Sequence, residues 1–202
     1  MSRAPTLGPA ARAAPGVRAR RRDLPDDHGG VSTTRVRDVR DVDDALHAAL
    51  LACWTDVVNA GGAVGFVAPV TRADVAPRLD ATLGPVREGR DALCLLEVDG
   101  KPAGFAFLVA NDSPLRQHWC NVHRVQVHPS RQGGGLGRAL MRGVHEVARA
   151  RGWEFLQLSV RGGTGTEAFY AGLGYTQVGR FPGAIRLAPG DDRDEIWMRY
   201  VL

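Results

Sequence analysis

The chain predicts an α/β (α+β) fold organised around one central sheet, and three observations lead there. From about Thr33 onward, strand-like and helix-like segments follow one another at globular lengths. Two apolar runs flank Asp99-Gly100, a strong signal for an antiparallel hairpin. A third run ends at Val127, passes a proline-marked turn and a glycine loop, and enters a helical pattern directly.

Each element has its own justification. Thr34–Val39 reads as the first strand. Asp41 caps a helix whose Val42, Ala45, Leu46, Ala49, Leu50 and Cys53 recur at helical spacing, and Gly61-Gly62 ends it. Thr71-Arg-Ala-Asp is a capping-box pattern ahead of Val75, Leu79 and Leu83. Residues 92–98 and 103–110 are the hairpin strands, and 118–127 is the strand that enters the loop. Leu136, Leu140, Met141, Val144, Val147 and Ala148 form one helical face, with arginines and Glu146 opposite and Gly152 as the stop. A strand at 154–160, a helix near 165–173 and a pair near 175–180 and 194–201 complete the order β-α-α-β-β-β-α-β-α-β-β.

Length and charge narrow the function classes. The 202 residues fit one domain at 33–202 plus a tail, and 44% hydrophobic content suffices for a core. No apolar run approaches the roughly 18 residues of a membrane span, which argues against a membrane partner. The formal charge of +4 is concentrated in residues 1–32, where six arginines face three aspartates. The remaining chain is close to neutral, so a basic face for nucleic acid is not expected. The tail is rich in Arg, Ala and Pro without periodicity, which predicts disorder. Arg20-Arg21-Arg22 is followed by Asp-Leu-Pro-Asp-Asp rather than the apolar stretch of a secretion signal. An electrostatic tail and an over-extended start remain open for this segment. Cys53, Cys94 and Cys120 are widely spaced, which suggests reduced thiols in a cytoplasmic protein, and no metal-ligand cluster is visible.

The most informative stretch is Val125–Gly137. A glycine loop opening into a helix leaves backbone N–H groups unpaired at the positive end of the helix dipole, a site suited to phosphate. The loop lacks the Gly-Lys-Ser/Thr of a Walker A sequence, and Arg138 spoils a Gly-x-Gly-x-x-Gly pattern. It matches Val-x-Pro-x-x-Gln/Arg-x-x-Gly-x-Gly/Ala through Val127, Pro129, Gln132, Gly135 and Gly137. In this the chain resembles the GNAT superfamily of acyl-CoA-dependent N-acyltransferases, over essentially residues 33–202. A strand–helix turn without a ligand is the alternative reading of the loop alone.

The resemblance implies a GNAT fold: a mixed, mostly antiparallel sheet of six to seven strands, about four flanking helices, and fourth and fifth strands splayed around the cofactor. It implies acetyl-CoA as co-substrate and no metal. Val125, Gln126 and Val127 would bind the pantetheine arm as an added strand does, with an amide near Val127 stabilising the oxyanion. Gln132, Gly133, Gly134, Gly135, Leu136, Gly137 and Arg138 would take the pyrophosphate. Thr166-Glu-Ala-Phe-Tyr-Ala-Gly-Leu-Gly-Tyr resembles the family helix in which Tyr170 is the general acid for the departing thiolate. Half-buried packing is the alternative for that residue. Gly163 stands where many members carry an asparagine, so any cofactor contact by that side chain is lost.

The attacking amine must lose a proton before it reacts. Strand alternation places Trp119, Asn121, His123, Val125 and Val127 on one face, near acceptor and thioester in the family pattern. His123 is the first base candidate, Glu97 acting through water the second, and an ordinary strand histidine the alternative. His118 and His128 read as surface or turn residues. Val178-Gly-Arg-Phe-Pro-Gly resembles the antibiotic- and toxin-resistance branch that includes tabtoxin resistance protein. Asp191, Asp192, Asp194 and Glu195 could then hold a cationic acceptor, with a solvated charged turn as the alternative. No cysteine lies in a nucleophile motif, so transfer is expected to be direct. The expected function is N-acetylation of a small-molecule amine by a protein that, as family members often do, could form homodimers. A protein N-terminal or lysine acetyltransferase and a non-catalytic acyl-CoA sensor are the competing readings.

Overall fold

The computed structural model describes residues 32–202. The tail expectation lies outside them except at Ser32, which donates a hydrogen bond to Asp99 at 3.2 Å. Among the described residues, seven strands and four α-helices follow the expected order: β1 (Thr34–Val39), α1 (Asp44–Asn59), α2 (Arg72–Arg87), β2 (Ala92–Val98), β3 (Lys101–Ala110), β4 (Trp119–Val127), α3 (Leu136–Ala150), β5 (Phe155–Arg161), α4 (Thr166–Ala171), β6 (Thr176–Ala188) and β7 (Asp191–Val201). The sheet order is β1-β2-β3-β4-β5-β7-β6. All pairs are antiparallel except β4 with β5.

Local chemistry explains the boundaries. Thr71 and Asp74 form the reciprocal capping box that opens α2. At α1 the cap is Asp43 rather than Asp41, because Asp43 is the residue whose carboxylate reaches the Leu46 amide, at 2.7 Å. In the β2–β3 turn both Asp99 (φ 51°) and Gly100 (φ 73°) are left-handed, as a twisted two-residue hairpin requires.

The sheet carries an apolar layer on each face. Alternate residues of β2 to β5 and β7 pack with Leu140, Met141, Val144 and Ala148 of α3. Their opposite neighbours, including Leu93, Leu95, Phe105 and Phe107, pack with Trp54 and Val57 of α1 and Val75 and Leu79 of α2. The β6–β7 hairpin is longer than expected. Residues 191–193 extend the last strand beyond the expected 194–201, because Arg193, Asp192 and Asp191 pair with Ile185, Arg186 and Ala188.

Two irregularities shape the middle of the sheet. Strands β4 and β5 pair only over Trp119–Asn121 and Phe155–Gln157, then part. On the other side of β4, His123 pairs with Phe107 but Gln126 pairs with Phe105, so β4 holds one extra residue. Arg124 is that residue, at φ 54°.

Candidate active site

The gap between β4 and β5 opens into two clefts that share Val125, Gln126, Val127, Gln132, Thr166 and Tyr170. One, of about 450 Å³, runs over Gly133, Gly135, Leu136, Gly137, Arg138 and Phe169. The other, of about 490 Å³, is bounded by Val57, Gly62–Val64 after α1, Asn121–Arg124, residues 157–161 of β5, Glu195 and Trp197.

The first cleft is built mostly from backbone. Gly133 (φ 91°) and Gly135 (φ 77°) take conformations that side chains resist, and Gly135 is the N-cap of α3. A Cβ at position 133, 134 or 135 would meet nothing within 4 Å, so the missing side chains leave a cradle at the positive end of a 15-residue helix. Gln132 donates from Nε2 to the Val127 carbonyl at 2.9 Å, tying the loop to the strand end. Arg138 donates to the Gly172 carbonyl at 3.1 Å and so joins α3 to the end of α4.

Tyr170 lies where the clefts meet and is 8% exposed. Phe169 and Tyr175 hold its ring edge-on at 5.0 and 5.5 Å, and Tyr175 bonds to buried His145 at 3.2 Å. Burial pushes the Tyr170 pKa above its ordinary value, so the phenol keeps its proton at neutral pH. Gln126 is buried on the other face of β4, opposite Phe105, and neither its Oε1 nor its Nε2 has a partner among the described residues. A buried amide without partners is costly.

The β4 bulge corrects the one-face reading of this strand. Trp119, Asn121 and His123 lie on the α1–α2 face, opposite Val109 and Phe107. Val125 and Val127 pack instead with the α3 layer, because the extra residue Arg124 shifts the alternation by one. Asn121 and His123 line the second cleft, whereas Trp119 stacks on Phe155 at 5.2 Å and does not. His123 is open to the cleft; surrounding protein and the charges of Arg124 and Arg78 lower its pKa below 6.5. Its imidazole is therefore neutral at pH 7.

Several expected groups are committed elsewhere. Glu97 lines neither cleft: Arg35 and Arg37 hold it at 2.6 Å each and lower its pKa, which removes it as a base candidate. Asp194 accepts from Arg180 at 2.6 Å and from the Gly183 amide at 3.1 Å, fixing a bulge in β6. Asp192 pairs with Arg186 at 2.6 Å, and Asp191 pairs with Arg193. Of the four acids expected near an acceptor, only Glu195 lines the cleft: β6 sets Arg180 and Arg186 against Asp194 and Asp192, and Arg193 of β7 takes Asp191. His118 is exposed, and His128 bonds Ser130 at 2.8 Å and Asp56 at 3.1 Å. All three cysteines are buried and free, and burial pushes Cys53 up to about 12, far from a thiolate.

Sequence reasoning missed much of the second cleft's lining, including Arg124, Ser159, Arg161, Trp197 and, as a lining residue, Thr166. The parting of β4 and β5 exposes the β5 group, and only a shifted strand parity would have exposed Arg124. Among the described residues, no group of three His, Cys, Asp or Glu could hold a metal, and no helix is long and apolar enough to cross a membrane.

A parted sheet with a glycine cradle on one side and a polar cleft on the other suits a transferase joining a phosphate-tailed donor to a second substrate. The chain belongs to the acetyltransferase (GNAT) family, whose sequence model matches residues 66–175. The domain thus carries that family's reaction type, acetyl-CoA-dependent N-acetyl transfer, with acetyl-CoA as co-substrate. It is similar to an uncharacterised N-acetyltransferase of Methanocaldococcus jannaschii, at 29% identity over 105 residues. That match covers 50% of this chain and 46% of the relative, about half of its length. Two solved structures share the fold. The ribosomal-protein-alanine N-acetyltransferase of Brucella melitensis has 22% identity, covers 83% of this chain and 99% of its own, and gives a TM-score of 0.67. The yncA protein of Salmonella typhimurium with its cofactor acetyl-CoA has 21% identity, with 84% and 94% covered and a TM-score of 0.66.

Proposed function

We propose that the chain acetylates the primary amine of a small molecule by direct transfer. The observation that carries this reading is the meeting of the two clefts at Val125–Val127 and Tyr170. The second cleft, at about 490 Å³, is within the range of small-ligand sites. The likeness of Val178–Gly183 to the toxin- and antibiotic-resistance branch supports the same class of acceptor.

The residues present fit acetyl-CoA through the glycine cradle at the start of α3. Bound there, acetyl-CoA supplies an activated thioester. Backbone amides from Gln132 to Arg138 receive its pyrophosphate, and Val125 and Val127 offer main-chain pairing to its arm. His123 accepts the proton that the acceptor ammonium must shed, directly or through one water, and being neutral at pH 7 it is ready to do so. Tyr170 gives its phenolic proton to the leaving sulfur as the new amide bond forms. Desolvation raises the phenol's pKa, but a thiolate emerging in the same dry place is raised too, so the transfer remains feasible.

A thiol-release screen with acetyl-CoA against amines, amino acids, aminoglycosides and peptides tests this. Turnover of at least one small amine well above every peptide is expected. Turnover confined to peptides would establish the protein-acetylating alternative. Tight acetyl-CoA binding without turnover of any acceptor would establish the sensor.

A further inference from the structure

The second cleft contains a charge that nothing in the described fold balances. Arg124 is half-buried and lines the cleft, yet it makes no hydrogen bond or ion pair with any described residue. Its guanidinium sits 5.5 Å from the Trp54 ring centroid and lies against the chain at Gly65, where a Cβ would fall 2.5 Å from Cζ. Gly65 itself is at φ 97°. The loop after α1 is therefore shaped around this side chain, which also lies over the Trp54 ring.

The neighbouring charges sharpen the point. The charge of Arg78 of α2 acts on Arg124, and a second arginine, Arg161 of β5, lines the same cleft. Acids that flank the region already have partners: Asp56 with His128, Asp80 with His47, Asp91 with Arg90, and Asp194 with Arg180. Glu195 also lines the cleft but forms no ion pair with Arg124. A guanidinium presents a planar fork of donors matched to two oxygens of an oxyanion, and taking it out of water without such a partner is costly.

We propose that Arg124 binds the carboxylate of the acceptor, so that the substrate is an amine bearing an acid group, such as an amino acid, rather than a polycation. This rests on the small-molecule reading above and deepens it. It also reverses the expectation that acids of the last hairpin hold a cationic acceptor. Arg124 adjoins His123 in the chain, so a carboxylate on the one sets the amine within the region of the other.

Matched pairs test the assignment: each common amino acid against the amine left by its decarboxylation, with acetyl-CoA and thiol release as readout. For the best pair, kcat/KM of the acid-bearing member should exceed its partner at least tenfold, about 1.4 kcal/mol. Arg124→Met should reduce that ratio toward one, mainly through KM of the acceptor, with KM for acetyl-CoA unchanged and Arg124→Lys recovering part. Preference for the decarboxylated member, or equal loss on both in a folded variant, would overturn the proposal while leaving the small-molecule reading intact. If the variant does not fold, the wild-type ratio decides alone. No turnover in either arm by protein that acetylates another small amine in the thiol-release screen would overturn this proposal alone, and no turnover of any small amine would defeat the small-molecule reading with it.

Discussion

The two clefts of the site are made in different ways. On the loop side, recognition is left to backbone: Gly133, Gly134 and Gly135 open a cradle, and the start of α3 supplies its N–H groups. On the α1–α2 side, recognition falls to side chains brought from four regions: His123 and Arg124 from β4, Ser159 from β5, Glu195 and Trp197 from β7, and Val57 with the loop after α1. Backbone sites suit a ligand part that never changes, because they depend little on which side chains surround them. Side-chain sites can be retuned one residue at a time. On the function proposed above, the family's shared co-substrate belongs to the first and the individual acceptor to the second.

The sharpest test of this division lies at its boundary. Tyr170→Phe keeps the ring between Phe169 and Tyr175 and removes only the proton donor. Turnover should fall by about 10²-fold while coenzyme A affinity, measured by calorimetry, stays constant. The deficit should shrink with a donor whose thiol is more acidic. An equal deficit with both donors would make Tyr170 a positioning residue.

On the acceptor side, His123→Gln should lower kcat/KM by about tenfold or more at pH 7 and abolish its acidic limb. In the wild type that limb should lie below pH 6.5, since the fold depresses the imidazole pKa. Removing the charge at Arg124 should move the limb upward. A wild-type limb in the glutamine variant would leave a water chain as the route for the proton.

On the donor side, Gly135→Glu sets a carboxylate in the cradle and forces a side chain onto a left-handed backbone. Coenzyme A affinity should drop at least tenfold, about 1.4 kcal/mol. Unchanged affinity in a folded protein would remove the loop as the pyrophosphate site. Arg138→Ala should have the smallest effect, a loss of a few-fold in affinity. Its guanidinium already donates to Gly172, so it adds to the cradle rather than forming it.

Much of this architecture could be read from the chain because its cues are local. A capping box, a hairpin turn with Asp-Gly at its centre, and glycines before a helix each specify their geometry within a few residues. The donor cleft was legible for that reason. The acceptor cleft was not, because long-range pairing decides its membership. Asp191, Asp192 and Asp194 look available in the sequence, but β6 sets Arg180 and Arg186 against two of them and Arg193 takes the third. Glu97 looks free until β1 lays Arg35 and Arg37 alongside it. Nothing in the run His-Arg-Val-Gln announces a bulge, since neither glycine nor proline marks it.

That bulge allows what a pleated strand forbids. Successive residues of a regular strand look away from each other, so neighbours in sequence cannot serve one ligand. With Arg124 inserted at φ 54°, His123 and Arg124 both project into the same cleft, while Val125, Gln126 and Val127 keep the facing they would have if it were absent. The insertion is thus silent for the pleat on either side of it. A chain lacking Arg124 would thread the same sheet, align the same valines beside α3, and lose only one guanidinium from the acceptor cleft.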